Sequence, residues 1–169
     1  MRLGILSDTH NNAANTQAAL LLFRQQGVTQ LVHCGDVNRA ELLELFTGFE
    51  MWLVWGNNDT DLSGLRVRAK QLGNIHCMGY DALLEFNGHH IGACHGDDEE
   101  RLAGLARSGL CDWVFRGHSH IHGIEQIAKS GRGTTKILNP GALGGRNPEG
   151  RHIAILDLAK RQPMFLAVP

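Results

Sequence analysis

The sequence predicts an α/β (α+β) fold in which two mixed β-sheets pack face to face with helices on the outside. Three observations predict it. The first half alternates short apolar runs with amphipathic stretches, the β-α-β-α-β order of a parallel sheet with right-handed crossovers. The second half changes to closely spaced apolar runs separated by turn signals, which belongs to antiparallel hairpins. Runs in both halves end in Asp, His or Asn beside Gly.

Element by element, Leu3–Leu6 is a buried strand ending at Ser7-Asp8. Asn11 and Asn12 cap a helix whose apolar face is Ala14, Ala18, Leu21 and Leu22, stopping at Gly27. Leu31–Cys34 is a second strand, followed by a helix around Arg39–Phe46, and Met51–Trp55 is a third. Trp52 and Trp55, with Met51 and Val54, read as core packing of that strand. Trp55 could also floor a pocket, since a loop of polar residues follows it directly. Leu83–Phe86 and Ile91–Cys94 flank Asn87-Gly88, a strong hairpin signal. A helix over Glu99–Ser108 and a strand over Trp113–Phe115 come next. Ile124–Ala128, Thr134–Leu138, His152–Leu156 and Met164–Val168 then read as antiparallel strands. Thr60–Gln71 and Gly141–Arg151 read as loops.

Composition narrows the function classes. A chain of 169 residues, 43% hydrophobic and 20% charged, is expected to form one domain spanning 1–169. A net charge of −1 gives no basic field for a nucleic-acid backbone. No apolar run approaches the roughly 18 residues of a membrane span. Met1–Ser7 runs straight into a strand, with no signal peptide in view. Cys34, Cys77, Cys94 and Cys111 form no Cys-x-x-Cys pair and read as buried free thiols. A cytoplasmic protein is therefore the expectation.

The strand ends carry the chemistry. They read Asp8-Thr9-His10, Gly35-Asp36, Gly56-Asn57-Asn58-Asp59, His95-Gly96 and Gly117-His118-Ser119-His120. In open α/β sheets ligands bind beyond the carboxyl ends of strands, so these side chains converge. Each piece alone has a bland reading, a cap, a turn or a solvated loop; together and in this order they do not. Carboxylate, imidazole and amide oxygen suit divalent ions such as Mn²⁺, Fe²⁺, Zn²⁺ or Co²⁺. There are too many donors for one tetrahedral ion, and enough for two ions about 3.5–4 Å apart sharing a carboxylate. Cys34 and Cys94 precede ligand positions and are expected to face away.

This string resembles the calcineurin-like metallophosphoesterase superfamily. The short chain and Leu138-Asn139-Pro140-Gly141 are similar to its compact YfcE-type phosphodiesterase branch. The resemblance implies a four-layer αββα sandwich and a dinuclear centre, with Mn²⁺ foremost and Fe, Zn, Ni or Co as alternatives. It implies that Asp8, His10 and His120 hold one ion, that Asp36 bridges, and that Asn57, His95 and His118 hold the other. A water or hydroxide between the ions would attack phosphorus while His10 stabilises the developing charge. The expected reaction is hydrolysis of a small-molecule phosphate ester, a diester before a monoester. A nuclease would want basic or aromatic surface. A non-catalytic scaffold, like the retromer subunit of this fold, would be marked by lost ligands. Homo-oligomers are left open.

The match departs from the family at Asn58, where the common motif has a His that assists the leaving group. An amide can donate a hydrogen bond to a phosphoryl oxygen but cannot supply a proton near neutral pH. Asp59 either orients ligands from behind or caps the next segment. His33 reads as a packed strand histidine, and His76, His89, His90 and His152 as solvated. His122 either faces the site or is structural. Arg146 either binds substrate phosphate or is an exposed loop arginine.

Overall fold

The computed structural model describes residues 1–130, 133–145 and 150–169. The first half runs β1 (Arg2–Leu6), α1 (Ala13–Gln25), β2 (Gln30–His33), a 3-10 helix (Ala40–Phe46), β3 (Glu50–Val54), α2 (Leu62–Leu72) and β4 (Ile75–Gly79). The second runs β5 (Asp81–Phe86), β6 (His89–Cys94), α3 (Glu99–Arg107), β7 (Trp113–Phe115) and β8 (Gly123–Ala128). It closes with β9 (Thr134–Asn139), β10 (His152–Asp157) and β11 (Gln162–Ala167).

Two mixed sheets result, ordered β11-β10-β1-β2-β3-β4 and β5-β6-β7-β9-β8. Strands β1 to β4 are mutually parallel, and β10 returns to lie antiparallel against β1. In the second sheet β6, β7 and β9 are parallel, with β5 and β8 antiparallel at the edges. The register sets Leu6 opposite His33 and His33 opposite Leu53. The loops after β1, β2 and β3 therefore leave the sheet level with one another.

Side chains alternate across each strand, and the apolar ones fill three layers. Leu3, Ile5, Val32 and Val54 meet Ile91, Ala93, Trp113 and Phe115 between the sheets. Phe23, Leu31, Leu43, Phe46 and Leu65 lie between the first sheet and its helices. Leu102, Ala106, Val114 and Ile137 join α3 to the second sheet. Each fully buried Leu, Ile or Phe contributes about 1.5–3 kcal/mol, so these layers hold the strand ends in place. The result is a sandwich of two sheets flanked by helices, as the sequence predicts.

Several local expectations need correction. The buried face of α1 is Asn15, Thr16, Ala19, Leu20 and Phe23, whereas Leu21 is exposed. That buried face carries polar groups with partners: Asn15 Nδ2 donates to Leu143 O at 2.6 Å and Thr16 Oγ1 to Asn12 O at 2.7 Å. Asn12 is the cap, accepting from the Asn15 N–H at 3.0 Å. Most of Thr60–Gln71 belongs to α2 and is not a loop. Asp61 caps it through the Gly64 N–H at 2.9 Å, and Gly73 ends it at φ +77°. That helix delivers β4, absent from the sequence reading. The late strands are not wholly antiparallel, since β9 runs parallel to β7. No helix among the described residues is long and apolar enough to cross a membrane.

Candidate metal centre

All eight side chains singled out at the strand ends lie in one crevice at the carboxyl ends of β1, β2, β3, β6 and β7. Two overlapping groups of potential ligand atoms form there: Asp8 with His10 and His120, and Asp8 with Asp36 and His95. Asn57 and His118 join the second group through His95. Asn57 Oδ1 lies 3.0 Å from His95 Nε2, and the His118 ring stands edge-on to the His95 ring at 5.2 Å. Asn58 donates to Asp36.

The backbone is bent hard to achieve this. Asp8, His10, Asp36, His118 and His120 all adopt positive φ, between +43° and +65°. Each such residue costs of order 1–3 kcal/mol, and persists only where the surroundings over-determine it. Those surroundings are visible. The Asp8 N–H donates to Gly35 O at 3.0 Å and the His10 N–H to Asp36 O at 2.9 Å. The His118 N–H donates to Asp8 Oδ2 at 3.1 Å, and Asn139 Nδ2 to Gly117 O at 2.8 Å. Space is as tight as the hydrogen bonding. A Cβ on Gly56 would stand 2.1 Å from Asp36 Oδ1, and one on Gly117 1.9 Å from Ser7 Oγ.

Two residues act from behind the ligands. Asp59 is buried, and its carboxylate accepts three backbone N–H groups: Asp36 at 2.9 Å, Gly56 at 2.8 Å and Asn38 at 2.7 Å. It ties the loop after β3 to the loop after β2, and Asp61, not Asp59, caps the following helix. His33 is wholly buried. Its Nδ1 accepts from the Gly35 N–H at 3.2 Å, which leaves the proton on Nε2, 3.2 Å from Thr9 Oγ1. Burial pushes its pKa down to about 3, so the ring stays neutral and fixes both loops.

The electrostatics of the crevice suit a bound cation. Asp8 Oδ1 is buried and accepts no hydrogen bond. Around it stand His120 Nε2 at 3.2 Å, His10 Nε2 at 3.7 Å and His95 Nε2 at 3.9 Å. Asp36 Oδ2 has His95 Nε2 at 3.4 Å and His10 Nε2 at 3.7 Å. Burial opposes ionisation of Asp36, but His95 and the hydrogen bonds from Asn58 outweigh it and hold the carboxyl well below its usual range. Burial likewise opposes a charge on His95, yet Asp36 and Asp8 raise its pKa to about 9. A buried carboxylate oxygen without a donor, ringed by imidazole nitrogens, fits a divalent cation. His95 is also set as a ligand should be, with Nδ1 donating to Cys34 O at 2.7 Å and Nε2 aimed inward.

Other candidates fall elsewhere. His122 stacks on His152 with centroids 3.8 Å apart and lies against Phe165. His76 is half exposed, stacks on Trp52 and pairs with Glu50. Trp55 is buried in the helix-side core. The Cys34 and Cys94 thiols are buried, which raises both pKa values, that of Cys94 to about 12. Arg146 lies outside the described residues. Sequence reasoning passed over Thr9, Asn15 and Asn139 as anchors of the site. Of these only Asn139, a polar residue ending an apolar strand before Pro-Gly, carried a signal.

A sandwich of two sheets and outer helices, with buried carboxylates ringed by imidazoles at its strand ends, is the architecture of metal-dependent phosphoesterases. The chain belongs to the calcineurin-like phosphoesterase superfamily, whose domain model matches residues 1–161. It is similar to Phosphodiesterase MJ0936 of Methanocaldococcus jannaschii, 27% identical over 164 residues, 96% of each chain. The solved structure of a novel archaeal phosphodiesterase superposes with a TM-score of 0.88 at 26% identity, over 98% of this chain and 99% of that one. Yfce, a phosphoesterase from E. coli, matches over the full length of both chains with a TM-score of 0.66 at 22% identity, a likeness of fold. The protein is a phosphoric ester hydrolase.

Proposed function

We propose that the protein is a cytoplasmic phosphodiesterase that hydrolyses a small-molecule phosphate ester with two divalent ions, Mn²⁺ foremost. Asp8, His10 and His120 would hold one ion, Asn57, His95 and His118 the other, and Asp36 both. The observation that carries this reading is Asp8 Oδ1, buried without a hydrogen bond among three imidazole nitrogens. Bound there, the two ions would acidify the water between them and clamp phosphoryl oxygens.

The residues of the chain do the rest. His10 is partly exposed, and with Nε2 toward the ion its Nδ1–H is the group left to donate to a phosphoryl oxygen that gains charge in the transition state. Asp59 holds the loops after β2 and β3 together, and His33 those after β1 and β2, so that Asp36 does not move as charge develops. With Asn58 where the family commonly has His, the leaving oxygen departs largely unassisted, which favours esters with good leaving groups. The phosphodiesterase names of the relatives support a diester. A scaffold would tolerate loss of these groups, and every ligand position retains a ligating side chain.

The test is calorimetric titration of the metal-stripped protein with Mn²⁺, followed by an assay on an aryl phosphodiester. Two equivalents bound and Mn²⁺-dependent turnover are expected. Failure to bind Mn²⁺, Fe²⁺ or Zn²⁺ would sink the reading.

A further inference from the structure

We infer that Asn58 is a positioning residue for Asp36, presenting one chosen carboxylate oxygen, Oδ2, to both halves of the metal centre. The inference rests on the dinuclear reading above. Asn58 grips the carboxylate twice: its backbone N–H donates to Oδ1 at 2.8 Å and its side-chain Nδ2 to Oδ2 at 2.7 Å. The amide orientation follows from chemistry, because an ionised carboxylate only accepts and Asn58 must therefore turn its NH₂ toward it. Two bonds from one residue to both oxygens stop rotation about the Asp36 Cβ–Cγ bond.

The rest of the pocket selects which oxygen faces the ions. Oδ1 is backed by the Gly56 backbone, where even a methyl group would stand 2.1 Å away. Oδ2 faces inward, 3.7 Å from His10 Nε2 of one ligand group and 3.4 Å from His95 Nε2 of the other. It is the oxygen that both groups approach. The Asp36 backbone is itself held at φ +62°, with its N–H on Asp59 Oδ2 at 2.9 Å. Backbone and side chain are thus fixed by consecutive residues of the loop after β3, Asn58 and Asp59. Asn58 therefore acts on the metals through Asp36, and its side chain is engaged before any substrate arrives.

The experiment uses Asn58→Ala, which removes the side-chain bond and keeps the backbone one, with folding checked by a thermal melt. Mn²⁺ affinity is measured by calorimetry, and kcat and KM over a series of aryl phosphodiesters differing in leaving-group pKa. Lost orientation of a carboxylate behind a metal typically weakens binding by about 10- to 100-fold, and that loss is expected here. The kcat should fall by one common factor across the series, leaving its slope against leaving-group pKa unchanged. If Asn58→Ala binds Mn²⁺ as tightly as wild type, or if only poor leaving groups slow down, the inference is overturned. In that case the wild-type titration still stands. A wild-type protein that binds no Mn²⁺ overturns the dinuclear reading and this inference together.

Discussion

Two groups of ligands meet at Asp8, and they differ most in their access to water. His10 and His120 have side chains 23% and 43% exposed, whereas His95 is 0% and Asp36 2% exposed. The enclosed group is built from strand ends that enter the crevice between the sheets, with His95 anchored on a backbone carbonyl. The open group rests on the turns at His10 and His120, whose rings approach each other at 5.5 Å. Asp36 and His95 are thus part of the core, whereas Asn57 and His118 on the same side are exposed, as His120 is. Water therefore reaches both sides of the crevice, over a buried floor of Asp8, Asp36 and His95.

The strongest test removes Asp36, the carboxylate proposed to serve both ions. Asp36→Asn should abolish diester hydrolysis by several orders of magnitude, measured with saturating Mn²⁺. Wild-type turnover in that variant would show that the halves work without a common carboxylate. The next test sets the halves against each other. His120→Ala should lose one Mn²⁺ equivalent and keep the other near wild-type affinity, because Asp36, Asn57, His95 and His118 remain. His95→Ala should weaken both binding events, since its ring touches Asp36, Asn57 and His118. Equal losses in the two variants would mean that enclosure does not separate the sites.

Stability gives finer tests. Asp59→Ala strands three backbone donors around Asp36, Asn38 and Gly56. It should cost on the order of 3 kcal/mol in the metal-free protein, read by chemical denaturation. A loss below a few tenths would mean that water replaces the carboxylate. The last test is titration of His33. Its folded pKa of about 3 lies below the unfolded value near 6.5. The unfolded chain therefore binds the extra proton first as pH falls. The stability contribution is intact above about pH 6.5 and drains away toward pH 3, by on the order of 1 kcal/mol per pH unit. His33→Leu should remove that slope between pH 6.5 and 4.5, and an unchanged slope would clear His33 of the effect.

Much of this could be seen in the residues because the strongest signals are periodic. β1, β2, β3 and the Asn87-Gly88 hairpin stood out as apolar runs broken by polar turns. The candidate ligands stood out because each follows such a run. What escaped was set by contacts distant in sequence. In α1 the apolar residues Ala18, Ala19, Leu20, Leu21, Leu22 and Phe23 are nearly consecutive and allow more than one face, and the bond from Asn15 to the Leu143 carbonyl is not visible in any helical period. Helix α2 has a cap at Asp61 and a stop at Gly73, but its exposed Val67 and internal Gly64 blurred the apolar stripe. The role of Asp59 turned on which backbone amides lay near it, and two of the three, those of Asp36 and Asn38, belong to another loop.

The placement of β10 has a consequence for how the molecule is made. β1, which ends in the Asp8 loop, is flanked by β2 on one side and β10 on the other, with Arg2 paired to Asp157. During synthesis at about 5–20 residues per second, the first sheet keeps an open edge for on the order of ten to thirty seconds before that partner emerges. Once His95 has been added, the nascent chain carries Asp8, Asp36 and His95 for the rest of that interval without the strand that closes the sheet beside them. The centre is encoded early and completed late, so a ribosome-bound fragment ending before His152 would display the ligands without the wall that steadies them.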